Sequence, residues 1–220
     1  MKSKTSETAG RHNDYFTGLN ALMRQKGPGH PVLVLDLDLL DHNIEKLKMQ
    51  INDLSRFRLV IKSLPCMNLI HHILENTRTS KLMVFHRPFL NQAVSAFPES
   101  DILLGKPLPV QALETFYRVK DASRPSSGSP RIQWLIDSVQ RLDQYHAFAR
   151  RMGLKMNINI EIDVGLHRGG IPSPEELAPL FKTIYEDPVH LNLSGLMGLS
   201  LIHISEPTRH LASSRLPSSA

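Results

Sequence analysis

The chain has 220 residues, of which 41% are hydrophobic and 21% charged, and its formal net charge is +5. That profile fits an ordinary folded chain of one large domain or two small ones, able to bury roughly 70% of its unfolded surface. The basic residues are scattered among acids, which argues against a nucleic-acid face, and the single cysteine, Cys66, excludes an internal disulfide and fits a reducing compartment.

The N-terminal stretch MKSKTSETAGRHNDYF carries charge but no apolar run, so it does not read as a secretory signal. No segment reaches the roughly 18 apolar residues needed to cross a bilayer. The expectation is a cytoplasmic protein with no membrane or nucleic-acid partner. Asn13 to Gln25 reads as a helix stopped by Gly27, Pro28 and Gly29. Pro31 to Leu35 reads as a short strand. Asp38 is the expected cap of a following helix in which Leu40, Ile44, Leu47 and Ile51 recur at helical spacing.

A rhythm then sets in. Strands are predicted at Arg58 to Lys62, Lys81 to Phe85, Asp101 to Leu104, Ile132 to Ile136, Met156 to Asp163 and Leu191 to Met197. Helices are predicted between them at Met67 to Glu75, Pro88 to Ala96, Val110 to Arg118, from Ile136 onward to Met152, and Pro174 to Tyr185. Pro88 suits a first turn, Gly153 a helix end and Ser173 a helix start. Alternating strands and helices, with near-continuous apolar strands, predict an α/β fold whose parallel sheet is covered by helices. An open doubly wound sheet and a closed barrel both satisfy this pattern. No GxGxxG follows the first strand, which weakens a dinucleotide-binding reading. Lys120 to Arg131 reads as a surface loop.

Two strand ends carry chemistry. IEIDVGLHRGG, Ile160 to Gly170, runs from an alternating strand into a glycine-rich turn with Asp163, Gly165, His167 and Arg168. RFRLVIKS ends a second strand on Lys62. Charged residues at the C-terminal ends of parallel strands are how an α/β barrel builds a site. Lys62 follows an apolar run, where desolvation favours the neutral, nucleophilic amine; the alternative is a lysine that merely reaches solvent. Arg168 suits permanent recognition of a phenolate or carboxylate, with a structural ion pair to Asp163 as the alternative. Asp163 reads as an orienting residue, His167 as outward-pointing, and His86 as a weak candidate for the mouth. Cys66 reads as a packing residue, and His71 and His72 lack metal-ligand spacing.

These residues resemble a known family. From Pro31 to Gly198 the chain looks like the N-terminal barrel of fold-type III pyridoxal-phosphate enzymes, the alanine racemase-like group that includes D-threonine aldolase and D-serine dehydratase. VLVLDLDLLDHNI is similar to the family's entry strand and helix, RFRLVIKS to the segment with its Schiff-base lysine, IDVGLHRGG to its Asp-x-Gly-x-x-Arg-x-Gly strand end, and LSGLMG to the strand leading to its ring-stacking histidine. The resemblance implies an incomplete (βα)8 barrel, with Lys62 as the catalytic lysine holding pyridoxal 5'-phosphate. Arg168, Gly165 and Asp163 are the implied cofactor-binding residues, and no metal ligand is implied within this chain. Similarity is greatest to the amino acid deaminase/aldolase branch. This implies an aldolase or dehydratase acting on a D- or β-hydroxy amino acid; an amino acid racemase and a non-catalytic cofactor carrier are the alternatives. Two departures stand out. The aldolase and dehydratase branch has a histidine where this chain has Val60, and the racemases have a tyrosine-containing turn where it has Ser63-Leu64-Pro65-Cys66.

The family's second domain, which supplies a catalytic base or ligands for a divalent metal, is expected to lie beyond Gly198 in the parent protein. Leu199 to Arg209, LSLIHISEPTR, resembles the translation of a transposase adapter used in preparing sequencing libraries. Residues 199–220 are accordingly expected to be a non-native tail, residues 31–198 a partial barrel and residues 1–30 a polar segment with a helix. The parent is expected to continue beyond Gly198 and allows a homodimer. The chain as it stands is expected to be inactive, with unpaired strand edges that favour aggregation.

Overall fold

The computed structural model describes residues 14–119 and 131–199. The chain divides into two compact units between Asn43 and Ile44. The first contains α1 (Asp14–Lys26), the segment leading to Asp36, and the start of α2 (Leu37–Gln50). Asp36 organises this unit. Its Oδ1 accepts from Leu39 N (3.0 Å) and its Oδ2 from the Tyr15 hydroxyl (2.9 Å). The capping side chain is thus Asp36, two residues before the expected Asp38, which lies inside the first turn of the helix. Pro31 to Leu35 does not form the expected strand. It has no place in the sheet, and Leu33 is fully exposed. β-branched and apolar composition makes a strand only where a ladder partner exists.

In the second unit strands and helices alternate. The order is β1 (Leu59–Val60), α3 (Met67–Thr77), β2 (Lys81–Val84), α4 (Arg87–Ala96), β3 (Asp101–Leu104) and α5 (Val110–Val119). Then come β4 (Arg131–Ile136), α6 (Val139–Met152), β5 (Met156–Ile162), α7 (Pro174–Glu186) and β6 (Leu191–Gly198). All neighbouring strands pair in parallel, and their order in space is their order in sequence. Parallel βα repeats in sequential order give an incomplete α/β barrel.

Helix boundaries follow local chemistry. His86 Nδ1, Ser138 Oγ and Ser173 Oγ each accept a backbone N–H three residues on, opening α4, α6 and α7. Gly153 closes α6 at φ +62, a left-handed conformation that other residues adopt only at a cost. Residues 1–13, 120–130 and 200–220 lie outside the described residues, and with them nearly all of the expected loop after Lys120 and of the expected non-native tail.

The two faces of the sheet differ. Leu82, Val84, Ile102, Leu104, Trp134, Ile136, Ile158 and Ile160 alternate along their strands and are buried. They belong to one core with Leu90, Leu113, Phe116, Tyr145 and Phe148 of the helices. Trp134 packs edge-on against Phe116 and Tyr145, with centroids at 5.7 and 6.3 Å. Tyr145 closes this cluster: its hydroxyl donates to Leu108 O (2.8 Å) and accepts from Leu108 N (2.9 Å). Burial pushes the Tyr145 pKa up to about 12.

The opposite face is mixed, with a polar network beside the buried Leu103 and Leu135, where near-continuous apolar strands were expected. Arg58 bonds Asp101, Asp101 accepts from Gln133, and Gln133 accepts from Asn159 (2.9 Å). This chain of side chains crosses from the start of β1 to β5. β1 is shorter than expected. Only Leu59 and Val60 pair with β2, so Lys62 lies in the turn just beyond, after Ile61 N donates to Met83 O (3.0 Å).

Candidate functional site

Lys62 leaves the C-terminal end of β1, and Asp163 to Gly170 leave the C-terminal end of β5. Because the sheet is wholly parallel, both groups stand on its same edge. β1 and β5 are four strands apart, about 19 Å along a flat sheet at ~4.8 Å per strand, and strands so spaced face one another when an eight-stranded barrel closes. Lys62 is exposed, and its Nζ stands 5.4 Å from the centroid of the Phe85 ring. Arg168 is also exposed and, among the described residues, forms no ion pair; the alternative pairing with Asp163 does not occur.

Asp163 instead builds the turn that carries Arg168. Its Oδ1 accepts from Gly165 N and His167 N, both at 3.0 Å, and its Oδ2 meets His167 Nδ1 at 2.8 Å. Those bonds, the His167 backbone bond foremost, hold the Asp163 carboxyl below the usual carboxylate range. His167 adopts φ +52, and its side chain is 84% exposed, so it points outward. The turn then folds back on β5. Ile171 N donates to Glu161 O (2.8 Å), and Asp163 N donates to Ile171 O (2.9 Å). Gly170 is required there: its φ is +96, and a Cβ would come within 2.8 Å of Ile162 C.

Two functional candidates were not singled out from the sequence. Glu161 is 2% exposed and Asn159 4%, both on the inward face of β5. Glu161 Oε2 and Asn159 Oδ1 have no hydrogen-bond partner among the described residues. The sequence signal for Glu161 was present: it shares strand parity with Asp163 in the alternating IEID run. Room for Asn159 comes from β6, where Ser194 is extra and Gly195 lies opposite Asn159. A Cβ at 195 would stand 3.0 Å from the Asn159 amide nitrogen.

Other candidates take different roles. His86 caps α4 and stacks on Phe89 (4.4 Å) rather than lining the mouth. Cys66 is exposed at the start of α3 and is not a packing residue, because the turn after Lys62 carries it out of the core. His71 pairs on the surface with Glu75 (3.2 Å). His146 and His190 flank Asp187 at 2.7 and 2.9 Å, between the end of α7 and the start of β6. Among the described residues no group of three or more His, Cys, Asp or Glu side chains is placed to hold a metal ion, and no helix is long and apolar enough to cross a membrane.

Solved structures share this architecture. The chain is similar to an alanine racemase from Oenococcus oeni, with TM-score 0.60 and 17% identity over 79% of this chain and 47% of that one. It is similar to a D-threonine aldolase from Filomicrobium marinum, with TM-score 0.61 and 17% identity over 76% and 43%. It is also similar to a histidine racemase from Leuconostoc mesenteroides, with TM-score 0.60 and 14% identity over 76% and 42%. The chain therefore spans less than half the length of these structures. No curated protein matches it. The family model for the alanine racemase N-terminal domain matches residues 35–201, taking in both strand ends and the whole sheet. The chain belongs to the alanine racemase N-terminal domain family.

Proposed function

We propose that this chain is the cofactor-bearing barrel of a pyridoxal 5'-phosphate enzyme that cleaves or dehydrates a D- or β-hydroxy amino acid. The observation that carries the reading is the convergence of an uncommitted lysine amine and an uncommitted guanidinium on one edge of a parallel sheet. Their surroundings fit the cofactor. Lys62 is free to make a covalent bond, Arg168 is held on a braced turn, and two buried acceptors on β5 still lack donors.

When bound, pyridoxal phosphate supplies an electron sink for the substrate's α-carbon. The chain's own residues do the rest. The Lys62 amine tethers the cofactor. Arg168 keeps its proton at every working pH and so offers fixed positive charge to the cofactor's phenolic oxygen. Asp163 holds the turn through Gly165 N and His167 N, which sets the direction from which Arg168 approaches.

Retro-aldol cleavage or β-elimination is the reading favoured by the likeness of IDVGLHRGG and SGLMG to the deaminase/aldolase branch; the D-threonine aldolase among the structural neighbours agrees with it. Racemisation is second, favoured by the alanine and histidine racemases among those neighbours. The test is reduction with borohydride in the presence of pyridoxal phosphate, followed by peptide mass spectrometry. Cofactor attached to Lys62, and lost in Lys62→Arg, supports the reading. Attachment elsewhere, or none, refutes it. Applied to the uninterrupted gene product, amino acid turnover assays then separate aldehyde release, ammonia release and loss of optical rotation.

A further inference from the structure

The amine of Lys62 sits at the end of a four-carbon stem on an exposed turn, where nothing polar among the described residues holds it. What it does meet is the face of Phe85, the residue that follows β2, at 5.4 Å from the ring centroid. An aromatic face attracts an ammonium group through its quadrupole. The ring in turn packs closely on the backbone of the neighbouring strand end. A Cβ on Gly105, just after β3, would lie 2.5 Å from both Phe85 Cε1 and Cζ and 3.0 Å from Met83 Sδ. Such distances do not occur between real atoms, so any side chain at 105 displaces the ring or the strand. Gly105 N also donates to Val84 O (2.7 Å), which fixes the backbone at this point against the strand end that carries Phe85.

We propose that Phe85, seated on Gly105, is the positioning residue for Lys62: its ring gathers the charged amine and aims it at the mouth of the sheet. The inference rests on the reading of Lys62 as the cofactor-bearing lysine and adds a residue that neither strand-end motif contains. An unrestrained lysine samples many rotamers, and ordering it at the moment of reaction costs entropy. The ring bears part of that cost beforehand. The attraction persists wherever the Lys62 nitrogen keeps its proton and charge after bonding to the cofactor, so it does not oppose the reaction.

The test begins without cofactor. Lysines of the full 220-residue chain are reductively methylated with 13C-formaldehyde, which preserves their charge, and Lys62 is assigned with Lys62→Arg. The Lys62 methyl resonance is expected upfield of the other lysines because of the ring current, and expected to return to their position in Phe85→Leu and Gly105→Ala. A Lys62 signal that starts among the others, or stays put in Phe85→Leu, overturns the proposal. The second arm is borohydride trapping of pyridoxal phosphate at a fixed subsaturating concentration. Phe85→Leu is expected to lower the labelled fraction of Lys62 roughly two- to fivefold, the size of an exposed cation–π contact, with Phe85→Tyr restoring it. Equal trapping in the unsubstituted chain and Phe85→Leu overturns the positioning role alone. No trapping on Lys62 in the unsubstituted chain overturns the cofactor reading and this inference with it. Circular dichroism of each variant identifies one that has failed to fold, and should Phe85→Leu fail, Phe85→Met, which also removes the ring, takes its place in both arms with the same expected and overturning results.

Discussion

Arg58 controls how firmly Lys62 is delivered. Among the described residues β1 pairs through only two residues and has one neighbouring strand. The residue before it compensates: Arg58 Nη1 donates to Leu82 O (2.9 Å) and Asp101 O (2.8 Å), while Nη2 meets Asp101 Oδ1 at 2.8 Å. Both side chains are 19% exposed, so water replaces these partners poorly. Arg58→Met keeps most of the stem and removes all three bonds. Hydrogen bonds to charged groups contribute ~1.5–3 kcal/mol singly but are not additive within one network. Breaking one side of a mostly buried pair costs about 3 kcal/mol. The expected loss is therefore about 3 kcal/mol, or roughly 6–12 °C in the thermal midpoint of a chain this size.

Urea denaturation of Arg58→Met, Asp101→Ala and the double variant measures this directly. The cycle should give a coupling energy above about 1 kcal/mol, because the same ion pair is lost in each single variant. Trapping of pyridoxal phosphate on Lys62 should fall further than the unfolded fraction accounts for, since the folded molecules also lose the anchor of β1. A stability change below about 0.5 kcal/mol, or additive single variants, refutes the argument that Arg58 anchors the strand.

Tyr145→Phe should destabilise by about 1–3 kcal/mol in the same assay, because it strands the buried N–H and carbonyl of Leu108 together. Asp187 gives an acid-side signature. Hydrogen bonds from His146 and then His190 hold its carboxyl down to about 2, against an ordinary 3.8. A depressed folded-state value contributes stability that is present above about 4 and is lost as pH falls towards 2. Asp187→Asn should flatten the slope of stability against pH in that window, and an unchanged slope counts against the cluster. Gly153→Ala should cost about 1 kcal/mol, since alanine must take φ +62 to close α6.

The parallel repeat was legible because helix and strand periods alternate cleanly from Arg58 onward, and most element limits fall within two residues of those expected. The failures have physical causes. Pro31 to Leu35 has strand composition but no ladder partner, and composition cannot reveal a partner's absence. Lys62 was read as the last strand residue, yet pairing stops at Val60, because register depends on the neighbouring strand rather than on the run itself. At the site, Lys62 and Arg168 were legible as motif residues. Glu161 and Phe85 were not, because neither role shows in the local run: Glu161 has an acceptor left unpaired on the inward face, and Phe85 packs on a glycine just after the next strand.

The deeper lesson lies in strand parity. On β5, Met156, Ile158 and Ile160 face the helices and are buried in the core, while Asn157, Asn159 and Glu161 face inward. The first set is bound to cost stability when truncated, because each leaves a cavity in a closely packed layer. The inward set behaves differently. Asn159 and Glu161 already carry unsatisfied acceptors, so replacing Glu161 with an apolar residue of similar size removes a buried polar atom without a partner and should leave the fold unharmed or firmer. On the reading of this strand edge as a cofactor site, the unpartnered inward acceptor of Glu161 is open to a ligand or a neighbouring charge. Glu161→Met should therefore unfold at the same or higher urea concentration while trapping less pyridoxal phosphate on Lys62. If instead it loses stability as Ile160→Ala does, the inward face belongs to the core, and the case for a site on that edge of the sheet fails with it.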